Sequence, residues 1–146
     1  MYVCLSALKN GFLSGCRPII GLDGCFLKTC YGGQLLVAVG RDGNDNMFPI
    51  AMVVVQVEIR ENWTWFLGEL LDDIGGLGTS MWSFISDRQK GLIEALKDLV
   101  PDSEHRFSLR HMYENFKIKF KSQDSKNSLE SCINSKQSDF ERYMQN

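Results

Sequence analysis

Three apolar runs rich in β-formers follow one another before helical spacing begins, and this order restricts the fold more than any other feature of the chain. The first is Pro18-Ile19-Ile20-Gly21-Leu22-Asp23, the second Gln34-Leu35-Leu36-Val37-Ala38-Val39-Gly40, and the third Phe48 to Val57. Their links are short and turn-rich: Cys25 to Gly33, closed by Gly32-Gly33, and Asp42-Gly43-Asn44-Asp45-Asn46. Short links join antiparallel neighbours, because a parallel return needs a long crossover. The second run is apolar throughout and reads as buried on both faces. Pro49 is tolerable near the start of the third.

Ahead of these runs, Leu5, Leu8, Phe12 and Leu13 form a rough helical stripe ended by Gly15, so residues 1–16 read as a short helix or entry segment. After them, Trp63, Phe66, Leu67, Leu70, Leu71 and Ile74 lie on one face of a helix that Gly75-Gly76 ends. Trp82 to Ser86 is a fourth strand. A helix follows, with Leu92, Ile93, Leu96, Leu99 and Val100 on its buried side, Asp87 as its N-cap and Pro101 as its stop. Glu104 to Leu109 is a short fifth strand. Arg110 to Phe120 is helical in spacing, with Met112, Phe116 and Phe120 in line. From Lys121 the chain turns Ser-, Lys-, Asn- and Gln-rich and is expected to be a loosely held tail.

The implied class is α/β: an RNase H-like mixed sheet, three antiparallel strands then helix-linked parallel strands, flanked by helices. Its core spans residues 1–120, and residues 121–146 are a polar, loosely ordered tail. Right-handed crossovers put the fourth strand beside the first.

Composition fits one globular domain: 146 residues, 44% hydrophobic. The net charge of -2 gives no global pull on DNA or anionic membranes, so a nucleic-acid contact needs a local basic patch. No apolar stretch is long enough to span a bilayer, and Met1-Tyr2-Val3-Cys4-Leu5 lacks the basic start of a secretory signal. The five cysteines form no CxxC pair and read as reduced intracellular thiols.

Two acids carry the chemistry. Asp23 ends the first strand and Asp87 follows the fourth, so the expected topology sets them about one strand spacing apart. Paired carboxylates suit Mg2+, which takes hard oxygen ligands and serves phosphodiester cleavage. Each acid also has an ordinary reading: Asp87 as a helix cap, and Asp23 before Gly24 as a turn residue. Trp63, Trp65 and Trp82 can stack on bases, but Trp63 and Trp82 read as core, and Trp65 falls off the apolar face. Arg106, Arg110, His105 and His111 form a basic run. Lys117, Lys119, Lys121 and Lys126 form a denser patch, whose default is a solvated face rather than DNA contact. Cys25 and Cys30 with His105 or His111 have unusual spacing for zinc.

The segment from Gly11 through Arg17-Pro18-Ile19-Ile20-Gly21-Leu22-Asp23-Gly24 to Lys28 resembles the start of the transposase domain of plant Mutator-like elements. So do Tyr31-Gly32-Gly33-Gln34-Leu35-Leu36, Pro49-Ile50-Ala51, Trp63-Thr64-Trp65-Phe66-Leu67, Phe84-Ile85-Ser86-Asp87-Arg88-Gln89-Lys90-Gly91-Leu92, and the block from His105 to Phe116. The resemblance covers about residues 1–120. It implies an RNase H-like fold and a DDE-type transposase, a nuclear enzyme that cuts and joins DNA with Mg2+ or Mn2+. Asp23 then carries over as the first acid and Asp87 as the second, both catalytic and metal-binding. Transposon-end DNA is the implied partner, with Arg106, Arg110, His111, Lys117 and Lys119 as contacts and a homo-oligomer as a possible assembly. The family's Cys-or-Asp, two residues, then His signature falls on Ser108 and His111, and serine is the poorer ligand. In the family the third acid lies well downstream, beyond a helical insertion of which residues 121–146 would be the truncated start, and Glu114, Glu130 and Glu141 are not assigned to it. The expected protein is therefore a partial transposase domain, truncated and inactive alone. The alternatives are a non-catalytic DNA-binding module domesticated from a transposase, and an RNase H-like nuclease of another kind.

Overall fold

The structure, a computed structural model, describes residues 1–28, 32–75 and 82–108. The described elements are β1 (Tyr2–Cys4), α1 (Ser6–Gly15), β2 (Ile19–Phe26), β3 (Gln34–Arg41), β4 (Met47–Val55), α2 (Arg60–Ile74), β5 (Ser83–Ser86), α3 (Lys90–Leu99) and β6 (His105–Phe107). The helical stripe expected over Arg110 to Phe120, and the polar tail after it, lie outside the described residues.

The six strands form one mixed sheet in the order β1-β4-β3-β2-β5-β6. Pairing is antiparallel from β1 to β4, β4 to β3 and β3 to β2. It is parallel from β2 to β5 and from β5 to β6. Short links thus made the meander, and the helical crossover through α2 returned β5 beside β2, as the order of elements required.

Two readings of the strands are corrected. Residues 2–4, taken as part of a helical entry, are a strand on the outer edge of β4, with Tyr2 opposite Val53 and Cys4 opposite Ala51. Three residues show no readable alternation, and tertiary contacts hold them: the Tyr2 hydroxyl donates to Asp73 Oδ2 at 2.7 Å, and the Tyr2 ring packs edge-on to Phe66. Nor is β3 buried on both faces. Gln34, Leu36, Ala38 and Gly40 are buried, whereas Leu35, Val37 and Val39 are only half-buried. Pro49 falls at the register shift between Ala38 and Val39, beyond the reach of β1, so its missing N–H costs the ladder nothing.

The core lies between the buried sheet face and the helices. Trp63, Phe66, Leu67, Leu70, Leu71 and Ile74 of α2 are all buried, joined by Leu92 and Leu96 of α3 and Phe12 of α1. Each fully buried Leu or Phe of this set contributes about 1.5–3 kcal/mol. Gly75, in the left-handed region at φ 73°, ends α2. Trp63 and Trp82 are core, and Trp65 is 44% exposed, as its position off the apolar face requires.

Candidate functional site

Parallel pairing aligns Ile19 with Ser83 and Leu22 with Ser86. One residue further along come Asp23 and Asp87. Contrary to the expectation from the sequence, Asp23 does not end its strand: it is still inside β2, opposite Val37 of β3, and the strand runs on to Phe26, whereas Asp87 lies just past the end of β5. The parallel register up to Leu22 and Ser86 therefore sets the two backbones side by side where β5 ends, about 4.8 Å apart. Leu22 and Ser86, the residues just before them, are buried and anchor both chain ends in the core.

Local hydrogen bonds fix each carboxylate. Asp23 Oδ1 accepts from its neighbour's amide, Gly24 N, at 2.9 Å. Asp87 Oδ1 accepts from Gln89 N at 3.0 Å, an Asx turn that aims the chain into α3. This corrects the capping assignment. The N-cap of α3 is Gln89, whose side-chain oxygen accepts from Leu92 N at 2.6 Å. Asp87 stands two residues earlier and is not committed to capping the helix.

Behind Asp87, Ser86 Oγ donates to the Asp87 carbonyl at 2.8 Å and lies 2.8 Å from His105 Nε2. With its proton given to that carbonyl, Ser86 accepts from His105, which requires a proton on Nε2. Burial, helped by repulsion from Lys97, lowers the His105 pKa below the ordinary range. The histidine read as part of a basic run is thus a half-buried brace for the backbone at Asp87.

Sequence reading missed Glu58. Its carboxylate lies over Gly24, where an added Cβ would sit 2.8 Å from Oε1 and 2.9 Å from Oε2. Trp63 Nε1 donates to Oε1 at 3.1 Å, and Gln89 Nε2 donates to the Glu58 carbonyl at 3.2 Å. The Glu58 pKa is raised, first by burial and then by the negative charges of Asp87 and Asp23, against the opposing Trp63 bond. Glu58 thus stands within electrostatic reach of both aspartates. The signal was in the sequence: Val57-Glu58 is an acid directly after an apolar strand run, the pattern that singled out Asp23. Among the described residues no three His, Cys, Asp or Glu side chains converge as a ready-made metal cage.

The other expected site residues do not gather here. Arg106 pairs with Glu104 at 2.6 Å on the exposed edge strand. Arg110, His111, Lys117, Lys119, Lys121 and Lys126 lie outside the described residues, as do Glu114, Glu130 and Glu141. Of the zinc set only Cys25, which is exposed, and His105 are described. No described helix is long and apolar enough to cross a membrane.

With this geometry in view, comparison with known proteins adds one finding. The model of the MULE transposase domain matches residues 19–115, a span that runs from the first residue of β2 past β6 and contains both aspartates and Glu58. No curated protein matches the chain.

Proposed function

Because the chain belongs to the MULE transposase domain family, we propose that it is an RNase H-like transposase core in which Asp23 and Asp87 hold a divalent cation against the phosphodiester backbone of DNA. The observation that carries this reading is the parallel register of β2 and β5, which continues directly into the two aspartates. The strand order supports it too, since an antiparallel meander flanked by helix-linked parallel strands is what an RNase H-like sheet requires.

The donor set fits Mg2+ or Mn2+: hard carboxylate oxygens, few in number, one within β2 and one just past β5. A bound cation of this kind polarises a phosphoryl oxygen and activates water. The residues themselves do three things. The strands hold two carboxylates abreast. The Asx turn and the Ser86–His105 brace fix the Asp87 backbone. Glu58 adds a third negative charge close by, and a cation at the pair offsets the repulsion that raises its pKa. DNA as substrate sets the site of action in the nucleus.

Direct binding of Mn2+ to the full chain, followed by electron paramagnetic resonance, tests the assignment. One site is expected in the wild type, lost in both Asp23→Asn and Asp87→Asn and kept in Asp45→Asn, a control on the far turn. Equal binding by all four proteins would refute it. Sequence-specific DNA binding without any metal site would then favour the non-catalytic module.

A further inference from the structure

Beside the acid pair the surface forms a basic groove that the sequence reading did not identify. Lys90, Ile93, Glu94 and Lys97 recur at helical spacing and form one face of α3. This face, Arg88 and Phe107 of β6 line a concavity of about 510 Å3. The Arg88 guanidinium lies 5.2 Å from the centre of the Phe107 ring, so the aromatic face carries and orients it. Lys90 approaches Glu94 at 3.9 Å, and Lys97 has no ion-pair partner among the described residues. Three cations against one acid make this a local basic patch on a chain of net charge -2.

Its position gives the patch a direction. Arg88 follows Asp87 in the chain, and Phe107 is paired with Ser86, the residue before it. The groove therefore begins at the acid pair and leads away along α3. From Lys90 to Lys97 the helix rises about 10 Å, close to three steps of a DNA strand at about 3.4 Å each.

Resting on the transposase reading above, we propose that the groove formed by Arg88, Lys90, Lys97 and Phe107 seats the phosphate backbone of duplex DNA and leads it to Asp23 and Asp87. Arg88, spread on Phe107, takes the phosphate nearest the acids, and Lys97 takes one further along. Ile93 is the apolar floor under the sugars, and Glu94 is the one unfavourable charge.

The test is fluorescence anisotropy of a labelled duplex with the full-length chain, titrated with salt in EDTA. Each lost phosphate contact removes about 0.9 from the slope of log affinity against log salt, or about tenfold in affinity at 0.1 M salt. Arg88→Ala and Lys97→Ala are each expected to show that loss, and Glu94→Gln is expected to bind more tightly than wild type, an outcome that misfolding cannot produce. Arg41→Ala, at the opposite end of the sheet and paired with Asp45 at 3.3 Å, is expected to bind as wild type. Unchanged affinity in Arg88→Ala and Lys97→Ala, absence of duplex binding by the wild type, or displacement of the duplex by polyglutamate at equal charge would overturn the proposal. EDTA keeps the measurement independent of metal. An unaffected duplex affinity removes the groove and leaves the acid pair standing, whereas loss of the pair is read from Mn2+ binding alone.

Discussion

Glu58 shows how one side chain can be placed against its own interest. Burial and the charges of Asp87 and Asp23 raise its pKa, and only the Trp63 N–H opposes them. The folded state therefore holds a proton on Glu58 at pH values where the unfolded chain has released it. Stability falls as pH rises from the ordinary glutamate range through the raised value, and the full cost is present at neutral pH. Glu58→Gln keeps an acceptor for Trp63 and removes the charge. It is expected to raise the melting temperature at pH 7, with the gain shrinking towards pH 4. Melting curves at both pH values check this, and a gain equal at the two would show that charge is not the cause. His105 gives the opposite slope. Its lowered pKa means the unfolded chain binds the proton first as pH falls below about 6.5, so stability drops on acidification. His105→Gln is expected to flatten that part of the profile in a denaturant titration series, at the expense of the bond to Ser86.

At the scale of elements, α1 is fitted to the sheet by close approaches, the tightest of them at Gly40. A Cβ on Gly40 would lie 2.7 Å from Phe12 Cδ2 and 2.8 Å from its Cε2. The ring is 1% exposed and has Trp82 5.2 Å away, so it has nowhere to swing. Gly40→Ala is expected to destabilise by about 1–3 kcal/mol through overpacking, and by less in a Phe12→Leu background. Chemical denaturation of the four proteins in that cycle measures the coupling, and additive costs would show that the two residues do not collide. The sequence revealed β2 to β5 and α2 because their apolar residues repeat at strand or helix spacing over enough residues to be read. It did not reveal β1, whose three residues are ordered by β4 and by Tyr2 reaching Asp73. It mistook β3 for a doubly buried strand, because Leu35, Val37 and Val39 look the same whether buried or half-buried. The two aspartates were legible as acids following apolar strand runs, but the end of the first strand was misread: Gly24, Cys25 and Phe26 keep pairing with β3, so Asp23 lies within β2. Glu58 had the same mark but was passed over, since only the folded chain shows the residues ahead of α2 laying its carboxylate over Gly24. Capping by Gln89 was illegible for a related reason: Asp87 is the better cap on statistics, and the Asx turn at Gln89 N moves the helix start past it.

Taken whole, the molecule sets a costly feature on a stable frame. The large side chains of α2 are sealed against one sheet face, and at the rim of that sheet the register of β2 and β5 sets two carboxylates abreast, with a third in electrostatic reach. A fold optimised for stability alone would not place like charges there, so the rim is where a divalent cation should have its largest effect on the whole chain. A cation that binds only the folded state adds about 1.4 kcal/mol at ten times its Kd, or about 4–7 °C in melting temperature for a chain of 146 residues. Mg2+ is therefore expected to raise the wild-type melting temperature in a saturable way. In EDTA, Asp23→Asn is expected to melt slightly above wild type, because one repelling charge is gone, and to gain nothing from Mg2+. The two effects have one origin and opposite directions, which separates them from nonspecific screening: salt at equal ionic strength acts on both proteins alike. If Mg2+ stabilised wild type and Asp23→Asn equally, the ion would be elsewhere, and the two aspartates would be ordinary surface acids of the sheet.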